Sequence, residues 1–180
     1  MRVFANTEEI IEHLEALGTS QSDDNHAFTE LDHGLQCAAL LASVEPDDLE
    51  LQIAGLLHDI AHQWDVDGQP QHGVMGAEAV RPVLGDRVAN LIAGHVPAKR
   101  YLVTTRPEYR EVLSAGSITT LAAQGSDMTA SEVHEFESQA DWRSMVQLRI
   151  ADDGSKVAGV EVPPLAYWTE SIHALQRVSG

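Results

Sequence analysis

Residues 56–62 read LLHDIAH. Two imidazoles and a carboxylate, His58, His62 and Asp59, interrupt a run that otherwise has the look of a buried helix. A buried charge without a partner costs several kcal/mol or shifts its pKa until it is neutral. These groups therefore need partners, and a bound cation is a strong candidate. Five of the nine histidines (His33, His58, His62, His72 and His95) fall between residues 33 and 95, several of them in apolar surroundings such as ELDHGLQCAALL and NLIAGHVPAKRYL. The others, His13, His26, His134 and His173, are read as ordinary polar residues.

Imidazole nitrogen suits iron, zinc and manganese, and a carboxylate can bridge two cations. His58 and Asp59 are adjacent and point about 100° apart on a helix, so one can serve a single ion while the other spans a pair. His62 lies one turn after His58 on the same face. It is equally placed as a ligand or as a contact to substrate. A further carboxylate is expected to close the cage, and LRIADDGSK offers Asp152 and Asp153 at the end of an apolar helix. Asp152 is the preferred ligand and Asp153 is expected to be solvated. The plainer alternative for both is a simple helix terminus.

The elements that must position these groups are helical nearly throughout. Asn6 caps a helix over 7–17 that Gly18 ends. The polar stretch 19–28 reads as a loop. Helices are expected over 30–44 and 46–62, the second opened by Pro46. After a turn-rich loop over 63–71 come helices over 72–84 and 86–96, stopped by Pro97. Shorter ones follow near 107–113 and 117–123, then one over 130–139 opened by Thr129, a long one near 141–152, and a last one over 164–178. No segment alternates like a strand. The reading is an all-α bundle in a single domain over residues 1–180.

Bulk properties narrow the function. The net charge of −17 argues against nonspecific binding to nucleic acid. No apolar run has the length of a membrane span. The single cysteine, Cys37, excludes an internal disulfide and makes a cytoplasmic location the default. An acidic protein that binds a small anion must gather positive charge locally, which draws attention to the only two lysines, Lys99 and Lys156.

The ordered set His33, His58-Asp59, His72, His95 and Asp152 resembles the HD-domain superfamily, in which H…HD…D holds metal and two extra histidines mark dinuclear members. That resemblance implies an HD-domain helical bundle with a dinuclear metal site in its core. More narrowly, HGVMGAEAV…HVPAKRYL, SITTLAAQGSDM, SEVHEFES and LRIADDGSK are similar to the PhnZ-type oxygenases of phosphonate breakdown, relatives of myo-inositol oxygenase. The similarity spans about residues 29–168. It implies a mixed-valent Fe(II)/Fe(III) pair, with manganese or another divalent metal as the alternative. It also implies cleavage of a carbon–phosphorus bond by O2, from a 1-hydroxyalkylphosphonate to phosphate and a carboxylic acid. One iron would be held by His33, His58, Asp59 and Asp152, the other by Asp59, His72 and His95.

The resemblance further implies catalytic roles for His62 and Lys99 and phosphonate contacts from His62, Lys99, Ser117 and Arg149. These would supply charge-assisted hydrogen bonds to the phosphonate oxygens. The tyrosine and glutamate that such enzymes carry on a lid before the first histidine have no clear match in SQSDDNHAFTELDH; His26, Phe28 and Glu30 are the candidates. Asp32 is a candidate contact for a 2-amino or 2-trimethylammonio group, against the plainer reading of a first-turn acid favourable to the helix dipole. The rival function with the same ligands is a metal-dependent phosphohydrolase acting on a small phosphate ester or nucleotide. A third is a module that binds without turnover.

Overall fold

A computed structural model describes residues 2–19, 29–64 and 71–179, with side chains through residue 176. Eight α-helices make up most of these residues: α1 (Thr7–Leu17), α2 (Glu30–Val44), α3 (Leu49–Leu57), α4 (His72–Thr105), α5 (Ala115–Ala123), α6 (Ala130–Glu137), α7 (Trp142–Gly154) and α8 (Leu165–Ser179). A 3-10 turn, Pro107–Val112, joins α4 to α5. No strand occurs among the described residues, so the all-α reading stands. None of these helices is long and apolar enough to cross a membrane.

Capping chemistry sets several boundaries. Asn6 accepts from the Glu9 amide at 2.9 Å and opens α1. Thr29 and Asp32 form a reciprocal capping box at the start of α2. Thr129 and Glu132 do the same for α6. The third helix departs from expectation. It begins at Leu49 on an Asp48 cap, with Pro46 in the preceding turn, and ends at Leu57. From there to Trp64 the chain tightens into i→i+3 turns, with the amides of Ile60, His62 and Trp64 bonded to the carbonyls of Leu57, Asp59 and Ala61.

The fourth helix bears out the expected break after residue 84 and corrects the expected stop at Pro97. Gly85 (φ 87°, ψ 176°) breaks it into two segments, and only glycine takes that backbone conformation readily. Pro97 does not stop the second segment, which runs on to Thr105. The missing amide costs one helical bond. Burial of Ala98, Tyr101, Leu102 and Val103 immediately beyond it holds the helix together.

Helices α2, α3, α4 and α7 pack on one another and enclose the polar cluster, while α8 covers the α3–α4 side. The α2–α3 contact is very close. A Cβ placed on Gly34 would stand 2.5 Å from the Leu56 carbonyl oxygen. That approach brings His33 on α2 against the turn that carries His58.

Candidate active site

Six side chains from five places meet in the core: His33 from α2, His58 and Asp59 from the turn after α3, His72 from the first turn of α4, His95 from its second segment, and Asp152 from α7. They fall into two trios, His33 with His58 and Asp152, and Asp59 with His72 and His95; the ligand atoms of each trio all lie within 4.8 Å of one another. Asp59 faces both. Its Oδ2 is 3.6 Å from His33 Nε2 and 3.3 Å from His58 Nε2. Its Oδ1 is 3.3 Å from His72 Nε2 and 3.7 Å from His95 Nε2. Asp152 Oδ1 stands 3.2 Å from His33 Nε2 and 3.6 Å from His58 Nε2.

Tautomers decide what this arrangement fits. His33 Nδ1 faces the Ser155 carbonyl at 2.9 Å, His58 Nδ1 the Gly55 carbonyl at 2.8 Å, and His95 Nδ1 the Ile92 carbonyl at 2.6 Å. A carbonyl only accepts, so each Nδ1 carries its proton, and in the neutral imidazole each Nε2 presents a lone pair. Yet His33 and His58 bring Nε2 to Nε2 at 3.2 Å, and His72 and His95 do so at 2.9 Å. Two nitrogens this close need either a proton on one of them or a metal cation between them, and metal binding takes the Nε2 in its deprotonated form. Donors bonded at about 2.1 Å to one first-row cation stand roughly 3 Å apart, close to these spacings. Imidazole and carboxylate, with no thiolate in either trio, are the donor set of iron, zinc or manganese.

The charges are mutually dependent. Burial opposes charge on His58, but the Asp59 and Asp152 carboxylates outweigh it and raise its pKa well above the ordinary value. Burial also opposes charge on Asp152, and Arg149, His58 and Lys156 overcome it to hold that carboxyl well below the usual range. At His95, burial and then the neighbouring His72 and His58 push the imidazole down.

A cavity of about 140 Å3 opens beside the cluster. Lys99, Arg149 and Lys156 bring three cationic groups to its wall in a protein of net charge −17. Lys99 is buried and donates to Thr120 Oγ1 at 2.9 Å. Burial, then repulsion from Arg149, lowers its pKa from 10.5 to about 8. Arg149 is also buried and donates to Ser117 Oγ at 3.3 Å and to Asp152 Oδ2. His62 lines the same space, 3.8 Å from Glu30 and with its ring 5.3 Å from that of His72. It belongs to neither trio. The i→i+3 tightening explains this, because at three residues per turn His62 points about 120° away from His58.

Two expectations are corrected. Asp32 does not line the cavity: its carboxylate accepts from the Thr29 amide and hydroxyl, both at 2.8 Å, and closes the cap of α2. The acid that reaches the cavity from this turn is Glu30. Asp153 is not solvated: it is ion-paired to Arg149, and its side chain is 13% exposed. His26 and Phe28 lie outside the described residues. The sequence reading also missed Thr120 and Gln124, which line the cavity with Ser117. Their signal was a polar stripe at i, i+3 and i+7 on a mostly apolar helix. Gln124 Oε1 is buried with no hydrogen-bond partner among the described groups.

Comparison with known proteins adds an independent line. The HD domain family model matches residues 7–122. Hydroxymethylphosphonate dioxygenase of Gimesia maris is 40% identical over 167 residues, covering 87% of this chain and 83% of that protein. [1-hydroxy-2-(trimethylamino)ethyl]phosphonate dioxygenase (glycine-betaine-forming) of Leisingera caerulea is 32% identical over 174 residues, covering 91% of this chain and 87% of that protein. Uncharacterized protein L432 of Acanthamoeba polyphaga mimivirus is 34% identical over 177 residues, 93% of this chain and 80% of that protein.

Proposed function

The chain belongs to the HD-domain family, and from that premise we propose that it is an iron-dependent oxygenase that cleaves the C–P bond of a 1-hydroxyalkylphosphonate. With hydroxymethylphosphonate, the substrate in the name of one relative, the balance is one phosphonate plus one O2 to one formic acid plus one phosphate. A 2-substituted substrate would give the corresponding carboxylic acid. The other dioxygenase relative carries a trimethylamino group in its substrate's name. With Asp32 committed to its cap, Glu30 is the carboxylate left to face such a group from α2.

In this reading His33, His58, Asp59 and Asp152 hold one iron, and Asp59, His72 and His95 hold the other. When bound, the iron pair supplies the O2 and electron-transfer chemistry that breaks the C–P bond. The chain's own residues bind and orient. Lys99, Ser117 and Arg149 offer donors to the phosphonate oxygens, and burial strengthens each charge-assisted bond. His62, with its Nδ1 near Glu30, is placed to hold or pass a proton at the cavity wall.

The observation that carries the proposal is a cluster of six metal-type donors, five of them lining one cavity, with three anion-type donors, Lys99, Ser117 and Arg149, on the same wall. Six ligands alone would serve a phosphohydrolase equally well. Phosphate release from hydroxymethylphosphonate, assayed in air and under argon, separates the two. Release that stops without O2 is expected; equal release under argon would overturn the oxygenase, and no release in air, with O2-independent release from a phosphate ester, would favour the hydrolase. The chain is further proposed to form a single domain, supported by one apolar cluster that runs from Phe4 to Leu175. A cytoplasmic location rests on the lone buried cysteine.

A further inference from the structure

The guanidinium of Arg149 is gripped from behind. Its Nε faces Asp153 Oδ2 and the Tyr109 hydroxyl, each at 3.2 Å, and its NH2 donates to Asp153 Oδ1. Tyr109, on the 3-10 turn, donates its own hydroxyl to Asp153 Oδ2. A two-point fork of this kind fixes a guanidinium plane, which a single contact cannot do. On its other edge, NH1 donates to Asp152 Oδ2 and NH2 to Ser117 Oγ. Of the five N–H bonds of an arginine, one on NH1 and the long Ser117 contact remain for an anion.

We propose that Asp153 and Tyr109 are positioning residues for Arg149. They hold its NH1–NH2 edge toward the cavity so that one guanidinium both orients the Asp152 carboxylate and receives a phosphonate oxygen. Neither is placed to touch substrate: both line a separate outer groove with Val112 and Ile150. The inference rests on the reading of Arg149 as a phosphonate contact. Two opposing effects of Asp153 give it a sharp test. Its charge near the cavity weakens anion binding, so neutralising it should tighten binding if charge were its only influence. Its grip on Arg149 strengthens anion binding, so losing one carboxylate oxygen should loosen it.

The test is calorimetric titration of methylphosphonate, which lacks the 1-hydroxyl and cannot turn over, into metal-loaded protein of measured metal content. Asp153→Asn is expected to raise Kd at least 10-fold per loaded centre, and Tyr109→Phe about 2- to 5-fold, with metal content unchanged. In turnover, KM should rise more than kcat falls. Binding by Asp153→Asn as tight as the parent's, or tighter, overturns the inference; so does weaker binding that follows metal loss alone. Should Asp153→Asn fold poorly, Tyr109→Phe, which removes one oxygen atom, carries the same test. Failure of the parent itself to bind methylphosphonate would bring down the phosphonate reading, whereas failure confined to the variants brings down only the positioning role.

Discussion

Lys99 titrates where an enzyme would feel it. A pKa lowered to about 8 leaves the ammonium charged below that pH and neutral above it. As a phosphonate donor, Lys99 should give kcat/KM an alkaline limb with a midpoint near 8, and Lys99→Arg should move that limb upward. The fold responds with the opposite sign. Between about 8 and 10.5 the unfolded chain binds the proton more readily, so this residue adds stability as pH rises. Alkaline loss of activity with an unchanged or rising Tm would therefore be the signature; activity that holds through pH 9 would exclude the role. Lys99→Ala should cost about 2–3 kcal/mol of binding, or roughly 30- to 150-fold in KM. Asp59 carries a different prediction. Because its two oxygens face separate trios, Asp59→Asn should lower bound metal from two ions per chain to one or fewer by elemental analysis, and retention of both would refute the bridge. The His-Asp cluster was legible at this scale because buried imidazoles and carboxylates need a reason. The choice between Glu30 and Asp32 was not. Both are first-turn acids, and only the capping geometry shows which one turns back to Thr29 and which turns inward.

At the scale of elements, local chemistry read well at α1, where Asn6 caps, and less well at α3, where Asp48 rather than Pro46 sets the start. The bounds of α1 and α2 are those the sequence reading placed; it named the Asn6 cap of α1 but not the Thr29 capping box of α2. It failed where tertiary burial overrode a local rule, at Pro97, and where apolar periodicity continued past the true helix end, at Leu57. That second failure matters most for chemistry, since the tightened turn over 58–64 separates His62 from the two His-Asp trios. The turn is held from outside by His13, whose Nε2 lies 3.0 Å from the Ile60 carbonyl. The α2–α3 contact is the other constraint on the cluster. Gly34→Ala would drive a methyl group into the Leu56 backbone oxygen, and backbone cannot yield as a flexible side-chain end can. The expected loss is about 1–3 kcal/mol, with Tm falling roughly 2–4 °C for each kcal/mol. A parent-like Tm for the metal-loaded variant would show that the helices can part without cost. Arg87 ties other elements together, reaching Asp48 at the cap of α3, Glu50 in its first turn, and Asp141 before α7. As a half-exposed network, its removal should cost only about 1 kcal/mol.

Over the whole molecule, a charge of −17 must admit an anion. Long-range repulsion and short-range attraction act on different distances, and salt distinguishes them. At about 0.01 M ionic strength the screening length is roughly 30 Å, so an approaching phosphonate feels most of the negative surface; at about 0.15 M it is roughly 8 Å. Lys99 and Arg149 are buried at the cavity, where salt screens them far less than it screens the exterior. Raising ionic strength over this range should therefore increase kcat/KM for an anionic substrate, with kcat nearly constant, because the work of approach falls while the final contacts persist. A protein that captured its anion by a cationic surface would show the reverse, a steep fall with salt. Measuring kcat/KM from about 0.01 to 0.3 M sodium chloride decides between them, and a monotonic decrease would mean that the attraction governing encounter lies outside the cavity described here. The same screening relieves repulsion among the carboxylates of the folded chain, so Tm should rise over that range as well.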